Sequence, residues 1–236
     1  MKCKSYKDLS VTMLWWTVLV MDALCFAMLV TVLPVRLRNG SGLRVATSAL
    51  LKVAGVKVKV EGLENIRHDQ TYIFAANHQS WFDSFVLCTI LPVPVTFATK
   101  KEMFRVPVYS YIMRQLQFVC VDRDRPRNVV RGIDSIIALL RSGLSLVIYL
   151  EGTMSKAGEL GSFGRGSVLL AARTGIPIIP ITVVGTREIM PPGKCRISYG
   201  RRVRIFISDA VKVDAADRER QAVVTERIKQ RIAENL

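Results

Sequence analysis

The sequence predicts an α/β fold, a layered mixed sheet with flanking helices, preceded by an N-terminal membrane-embedded helical pair. Three observations lead there. From residue 57 onward, short apolar runs bounded by turn residues alternate with segments of helical spacing, the pattern of strands and helices stacked in layers. The run Tyr72 to Ala76 is mainly apolar, as suits a strand covered on both faces. Residues 9–33 hold one charge, Asp22, in 25 positions, enough apolar length to enter a bilayer deeply. The 236 residues suit one such domain, with an anchor at residues 1–56 and the α/β domain at residues 57–236. On this division the α/β core assembles without residues 1–40.

Each element has its own warrant. Lys2, Lys4 and Lys7 precede the apolar run, and Arg36, Arg38 and Arg44 follow it, so the positive-inside rule selects no orientation. Two arrangements stay open: one spanning helix, or a segment that dips in and returns through a helix over residues 42–56. In the second, Val45, Ala49, Leu50 and Val53 make one apolar face. A cleaved leader fits less well, because the run is long and no small-residue cleavage site follows before Pro34.

Within the domain, Lys57 to Glu61 alternates like a half-buried strand. A helix is predicted over Phe82 to Leu91, stopping before Pro92, and short strands over residues 95–98 and 118–121. Pro126 opens a helix with apolar residues at 129, 130, 133, 136, 137 and 140, and Gly143 closes it. Then follow a strand at residues 146–150, a helix at 168–174 ending at Gly175, and a strand at 178–184. Two strands, 195–199 and 203–207, flank Gly200, and a helix over 215–235 closes the chain.

The formal net charge is +15, which calls for an anionic partner. Residues 1–60 hold nine basic and two acidic residues, and residues 96–131 hold eight and three, whereas the stretch from Lys212 holds six and five. The excess lies beside the apolar segment and in one central region, which favours an anionic membrane surface and a phosphorylated substrate over nucleic acid. The five cysteines are scattered and include no C-x-x-C pair. That spacing argues against a disulfide framework and against a zinc site, and it fits a reducing compartment.

The most informative stretch is N-H-Q-S-W-F-D at residues 77–83, placed directly after a predicted buried strand. A carboxylate on one imidazole nitrogen fixes the tautomer and leaves the other nitrogen to take a proton. His78 and Asp83 are therefore candidates for a general-base pair acting on a substrate hydroxyl. The plainer reading is an Asp that caps the following helix. No G-x-S-x-G elbow occurs. Arg123, Arg125, Arg127 and Arg131 follow a predicted strand and could clamp a phosphate, or form a solvated run offset by Asp122 and Asp124. Lys100 and Lys101 also follow a strand and allow the same two readings. Glu151 and Gly152 sit where a strand ends, the part of an α/β sheet that carries sites.

Together the blocks resemble the glycerolipid acyltransferase family, specifically its 1-acylglycerol-3-phosphate acyltransferases. The matching blocks are N-H-x-x-x-x-D at 77–83, D-R at 122–123, E-G-T-x-S at 151–155 and I-P-I-I-P at 176–180. The resemblance covers roughly residues 45–210. It implies that His78 is the general base, that Asp83 orients it, and that Arg123, with Arg125 and Lys101, binds the acceptor phosphate. It implies that Glu151, Gly152 and Thr153 shape the acceptor site and that Pro177 and Ile178 help build the acyl-donor side. The implied reaction moves a fatty acyl group from a thioester, acyl-CoA or acyl carrier protein, to the lysophospholipid hydroxyl. It needs no acyl-enzyme, cofactor or metal. The expected location is a bacterial inner membrane with the active site on the cytoplasmic face. In the third block, Leu150 and Met154 stand where the family usually has proline and arginine. The loss of that arginine keeps another acceptor in view, such as a lyso-aminolipid. A membrane-bound hydrolase and a non-catalytic module binding anionic lipid are the other open classes.

Overall fold

The computed structural model describes residues 2–29, 31–121, 126–155, 160–161, 164, 166–213 and 218–236. Its strands are β1 (Lys57–Glu61), β2 (Ile73–Ala76), β3 (Val95–Lys100), β4 (Val119–Val121), β5 (Ser145–Tyr149), β6 (Ile178–Val184) and β7 (Arg202–Ile207). They form one sheet in the order β1-β7-β6-β2-β5-β3-β4. All pairings are parallel except β6 with β7, so the sheet is mixed. The helices are α1 (Lys2–Leu29), α2 (Val35–Leu37), α3 (Leu43–Val53), α4 (Phe82–Ile90), α5 (Pro107–Gln115), α6 (Pro126–Arg141), α7 (Gly166–Thr174), α8 (Thr186–Ile189) and α9 (Arg218–Ala233).

The two-residue period of the strands divides the core. Phe74 and Ala76 of β2, Val147 of β5 and Ile179, Ile181 and Val183 of β6 share one cluster with Leu50, Phe82 and Leu116 of the N-terminal and central helices. Ile73, Ala75, Leu146 and Ile178 point the other way, into a cluster with Ile136, Leu140, Val168, Ile228 and Ile232. β2 is buried on both faces, which is why its four residues are Ile-Phe-Ala-Ala without alternation. At the edge, β1 alternates exposed and partly buried residues.

The predicted strand at residues 195–199 is absent, and the reason is geometric. β7, its expected partner, already pairs with β1 on one side and β6 on the other. Residues 195–199 instead run under α1, where Ile197 is buried and its N–H donates to Thr12 Oγ1 at 2.9 Å. Helix α5 was not expected from the sequence. Pro107 at its first turn and the buried pair Ile112 and Met113 were the available signals.

The apolar N-terminal helix is long enough, over Asp8–Leu29, to qualify as a membrane span by length and composition. It does not stand clear of the domain. Near its start, Asp8 Oδ1 accepts from the Tyr199 N–H at 3.2 Å. At mid-length Trp15 is 1% exposed, stacks near Phe82 and Phe85, and donates from Nε1 to Leu50 O at 3.0 Å. Towards its end Phe26 is buried in the same cluster. The core assigned to residues 57–236 therefore takes in side chains from α1 and α3.

The chain returns through α2 and a π-helical turn, Arg38–Gly42, that presents Asn39 inward. Asn39 Nδ2 donates to Val95 O at 3.0 Å and Leu116 O at 2.6 Å, fastening the turn to the sheet. In α3 the face turned to the protein is Leu43, Thr47, Leu50 and Leu51; of the apolar face read from the sequence, Leu50 is buried here and Val45 is 70% exposed.

This packing generates a contrast. Trp15→Ala should cost about 3–5 kcal/mol of stability in detergent, as expected for a truncated buried aromatic. Val45→Ser on the outer side of the hairpin should stay within about 0.5 kcal/mol. Denaturant unfolding followed by circular dichroism measures both. Equal losses would contradict the burial pattern.

Candidate active site

The sheet topology parts the loops after β2 and β5. From β2 the chain crosses through α4 on one face to reach β3. From β5 it crosses through α7 on the other face to reach β6. These crossovers move in opposite directions along the sheet, so a common right-handed sense puts their helices on opposite faces. The loops after the neighbouring strands β2 and β5 therefore diverge, and ligands of open α/β sheets bind where such loops part. His78 follows β2 and Glu151 follows β5.

The His78 loop is built from its own sequence. Asn77 extends the β2–β6 pairing with its side chain. Its Nδ2 donates to Val183 O at 2.9 Å, and its Oδ1 accepts from the Val183 N–H at 2.7 Å. The backbone is thereby free to turn at His78. Ser80 Oγ accepts from the Phe82 N–H at 3.3 Å, and Asp83 Oδ2 reaches back to the Ser80 N–H at 2.9 Å. The two bonds resemble a capping box displaced by one residue, because Ser80 Oγ takes the Phe82 N–H and the residue at the helix cap, Trp81, makes no side-chain cap bond. The helix-start contact and the candidate general-base pair, alternatives in the sequence, share one carboxylate.

Asp83 is completely buried. Its Oδ2 also accepts from the Gln79 N–H at 2.6 Å and from His78 Nδ1 at 2.7 Å. Its Oδ1 accepts from Thr186 Oγ1. With Nδ1 donating to the carboxylate, Nε2 is the proton-accepting nitrogen of the neutral ring. The backbone of His78 is gripped on both sides: its N–H donates to Glu151 Oε1 at 3.1 Å, and its carbonyl accepts from the Ser155 N–H at 2.8 Å. The imidazole lies flat against Tyr149, with ring centroids 3.9 Å apart and planes 10° apart. Burial, and after it the nearby Asp83 carboxylate, push the Tyr149 hydroxyl well above the usual phenol range. Burial likewise raises the Cys88 thiol, which makes it a poor nucleophile.

The predicted site residues divide by position. His78, Asp83 and Glu151 come together through the contacts above. Gly152 adopts φ +65° and closes a turn onto Tyr149 O, a conformation that favours glycine, and Thr153 lies exposed in the same loop. Lys101 begins the turn that follows β3, at the same end of the sheet. Arg123 and Arg125 lie outside the described residues. Pro177 and Ile178 are not brought to this cluster. Ile178 is level with Ile73 at the opposite end of the strands, roughly 16 Å along the chain from His78.

The sequence reading missed Thr186, Tyr149, Ser155 and Arg187. Arg187 Nη1 donates to Ser155 O at 2.8 Å and braces the Glu151 loop from the far side. Thr186 follows Gly185 at the end of β6, and that strand-end position was its only signal.

To the fold and the His78–Asp83 contact the comparisons add the family. Residues 57–184 match the family model described as Acyltransferase, so the chain belongs to that family. Among its relatives is the chloroplastic 1-acyl-sn-glycerol-3-phosphate acyltransferase LPAT1 of Arabidopsis thaliana, 34% identical over 76% of this chain and 49% of the relative. The 1-acyl-sn-glycerol-3-phosphate acyltransferase of Pseudomonas aeruginosa is 31% identical over 55% of this chain and 50% of its own. The chain spans about half the length of the curated relatives it matches. The crystal structure of the 1-acyl-sn-glycerophosphate acyltransferase PlsC from Thermotoga maritima shares the fold, with a TM-score of 0.81 and 23% identity over 98% of this chain and 97% of that one.

The Thr186 contact gives a test of the pair's support. Thr186→Val leaves one oxygen of a buried carboxylate short of a donor and should cost about 1–3 kcal/mol of stability. Thr186→Ser should restore it. Unfolding curves for the two variants decide; a valine variant as stable as the parent would mean that Oδ1 does not depend on this hydroxyl.

Proposed function

We propose that the protein is a 1-acylglycerol-3-phosphate O-acyltransferase that uses His78 as a general base and forms phosphatidic acid without an acyl-enzyme. The observation that carries this reading is the 2.7 Å contact of His78 Nδ1 with the fully buried Asp83, in a chain of the Acyltransferase family. The acceptor hydroxyl gives its proton to Nε2 as its oxygen attacks the thioester carbonyl carbon. The carbon–sulfur bond then breaks, and the leaving thiolate recovers the proton from the imidazolium. Ester and free thiol are the products, and His78 returns neutral. Asp83 keeps the tautomer and stabilises the transient imidazolium. Lys101, at the strand end, and Arg123 and Arg125 supply charge for the acceptor phosphate. Acyl-CoA and acyl carrier protein are both chemically suitable donors.

The membrane supplies the acceptor. Leu9, Met13, Val20, Met21, Leu24 and Met28 are exposed along α1, and Val45 is exposed on the returning helix. Because α1 touches the domain from Asp8 to Phe26, we read the hairpin as dipping into one leaflet rather than spanning. The basic residues around it suit anionic headgroups, and a cytoplasmic-facing site matches cytoplasmic thioester donors. Met154 favours a second acceptor reading, because a methionine cannot pair with phosphate as an arginine does. A lyso-aminolipid without phosphate is that alternative.

The test uses purified protein in micelles, radiolabelled acyl-CoA or acyl carrier protein, and a panel of acceptors. Turnover of 1-acylglycerol-3-phosphate above a lyso-aminolipid supports the first reading, and the reverse order supports the second. Thioester hydrolysis independent of any acceptor would overturn both. His78→Ala should lower the rate by ~10²–10⁴-fold, and Asp83→Asn should also be severe. The double substitution Met21→Lys with Leu24→Lys should abolish co-sedimentation with anionic vesicles while retaining turnover of a soluble short-chain acceptor. Undiminished vesicle binding would refute the membrane role of that face.

A further inference from the structure

Tyr149 is tied to the site by three contacts that the acyl-transfer chemistry described above does not use. Its ring lies 3.9 Å from the imidazole of His78 and within 10° of parallel to it. Its other neighbour is Phe97, whose ring is 6.3 Å away and tilted, and which packs in turn on Phe118. Its hydroxyl hydrogen-bonds Ser84 Oγ at 2.8 Å, one residue beyond Asp83. The end of β5 and the first turn of α4 are thereby linked over the base.

We infer that Tyr149 is a positioning residue: its ring face fixes the plane of the His78 imidazole and stabilises the imidazolium formed when the base takes the acceptor proton. The inference rests on the general-base reading of His78. Asp83 holds one nitrogen of the ring, but the angular tolerance of a single hydrogen bond still lets the imidazole rock about its Cβ–Cγ bond. A flat aromatic surface removes that freedom. The face of a phenol is electronegative, so it attracts the ring more once the ring is cationic. Burial beside Asp83 keeps its hydroxyl protonated, so the attraction comes from the ring face and not from a phenolate charge. The charged groups facing His78 are Asp83 from α4 and Glu151 from the loop after β5. Those facing Tyr149 are Asp83 and Cys88 from α4 and Tyr109 from α5, whose hydroxyl is raised to about 12 by burial. Both cysteine and tyrosines stay neutral near pH 7, so Asp83 and Glu151 are the fixed charges against which the stack acts.

The chain has two histidines, and His68 is exposed, so the two ring signals can be followed together by NMR in micelles and assigned with His68→Ala. In the parent protein the His78 ring protons should be shifted upfield by the adjacent phenol. Tyr149→Leu should abolish that shift, move the His78 titration and the acidic limb of kcat to lower pH, and lower kcat by roughly two- to thirtyfold with little change in KM. Tyr149→Phe keeps the face and loses the Ser84 bond, and should recover the upfield shift, the limb and most of kcat. Tyr149→Met takes the place of the leucine variant if that one does not fold. An unmoved limb and unshifted ring signals in Tyr149→Leu would overturn the inference, as would a phenylalanine variant that behaves like leucine. If His78→Ala kept the parental rate, the base reading itself would fall and the catalytic role of the stack with it. Loss in His78→Ala with a silent Tyr149→Leu would overturn the stack alone.

Discussion

The site depends on one buried carboxylate. Asp83 has no solvent to share its charge, and an isolated buried carboxylate is costly enough that it would neutralise or unfold its surroundings. It is held by four donors instead: two backbone N–H groups, one hydroxyl and one imidazole. Those donors come from the loop after β2 and from the start of α8 after β6. Satisfying Asp83 therefore requires both strand ends and the first turn of α4 to be in place. The same constraint sets the tautomer of the His78 imidazole. The start of a helix, the junction of two strands and the orientation of that ring are one set of hydrogen bonds.

Around that centre the sheet does the larger positioning. Two crossovers of the same hand but opposite direction part the loops after β2 and β5, the kind of position where open α/β sheets place ligands. Glu151 then bridges the gap by accepting from the His78 N–H, and Ser155 closes it by donating to the His78 carbonyl. Glutamate in the E-G-T-x-S block thus holds the base loop rather than standing apart as a separate feature. Arg187 supports the same loop from α8, so α8 contributes to both halves of the site.

The N-terminal hairpin joins the membrane problem to the folding problem. One side of α1 packs through Trp15 against Phe82 and Phe85 of the helix that carries Asp83 and buries Phe26 in the same core cluster, and the other side presents a row of apolar residues outward. A helix of this kind cannot be all core or all anchor. The buried tryptophan finds a backbone carbonyl for its N–H, as buried indoles generally do, while its neighbour Trp16 lies near the surface. The distance between the outer apolar face of α1 and His78 is thereby set by packed side chains rather than by a flexible linker.

Much of this was legible in the chain. The apolar run at β2, the alternation of β1, the helical spacing of α6 and the His78–Asp83 block each depend on local periodicity or on residues five apart, and local geometry is what sequence patterns encode. What escaped required partners far away in the chain. The extended segment at residues 195–199 looks like a strand, but β7 had no free edge to offer it. Val45 and Leu50 are both apolar residues of α3, and only the position of α1 and α4 decides which is covered. Pro177 and Ile178 belong to a block that accompanies the site in sequence, yet strand direction puts them at the far end of the sheet. Thr186 and Tyr149 carry no motif of their own. Their importance arises because a hydroxyl 103 positions from Asp83 and a phenol ring at the end of β5 meet the same base loop. The sequence alone determined the fold class and the chemical pair. Tertiary structure decided what holds that pair in place, because a buried charge must be satisfied by whatever donors the packed strands bring to it.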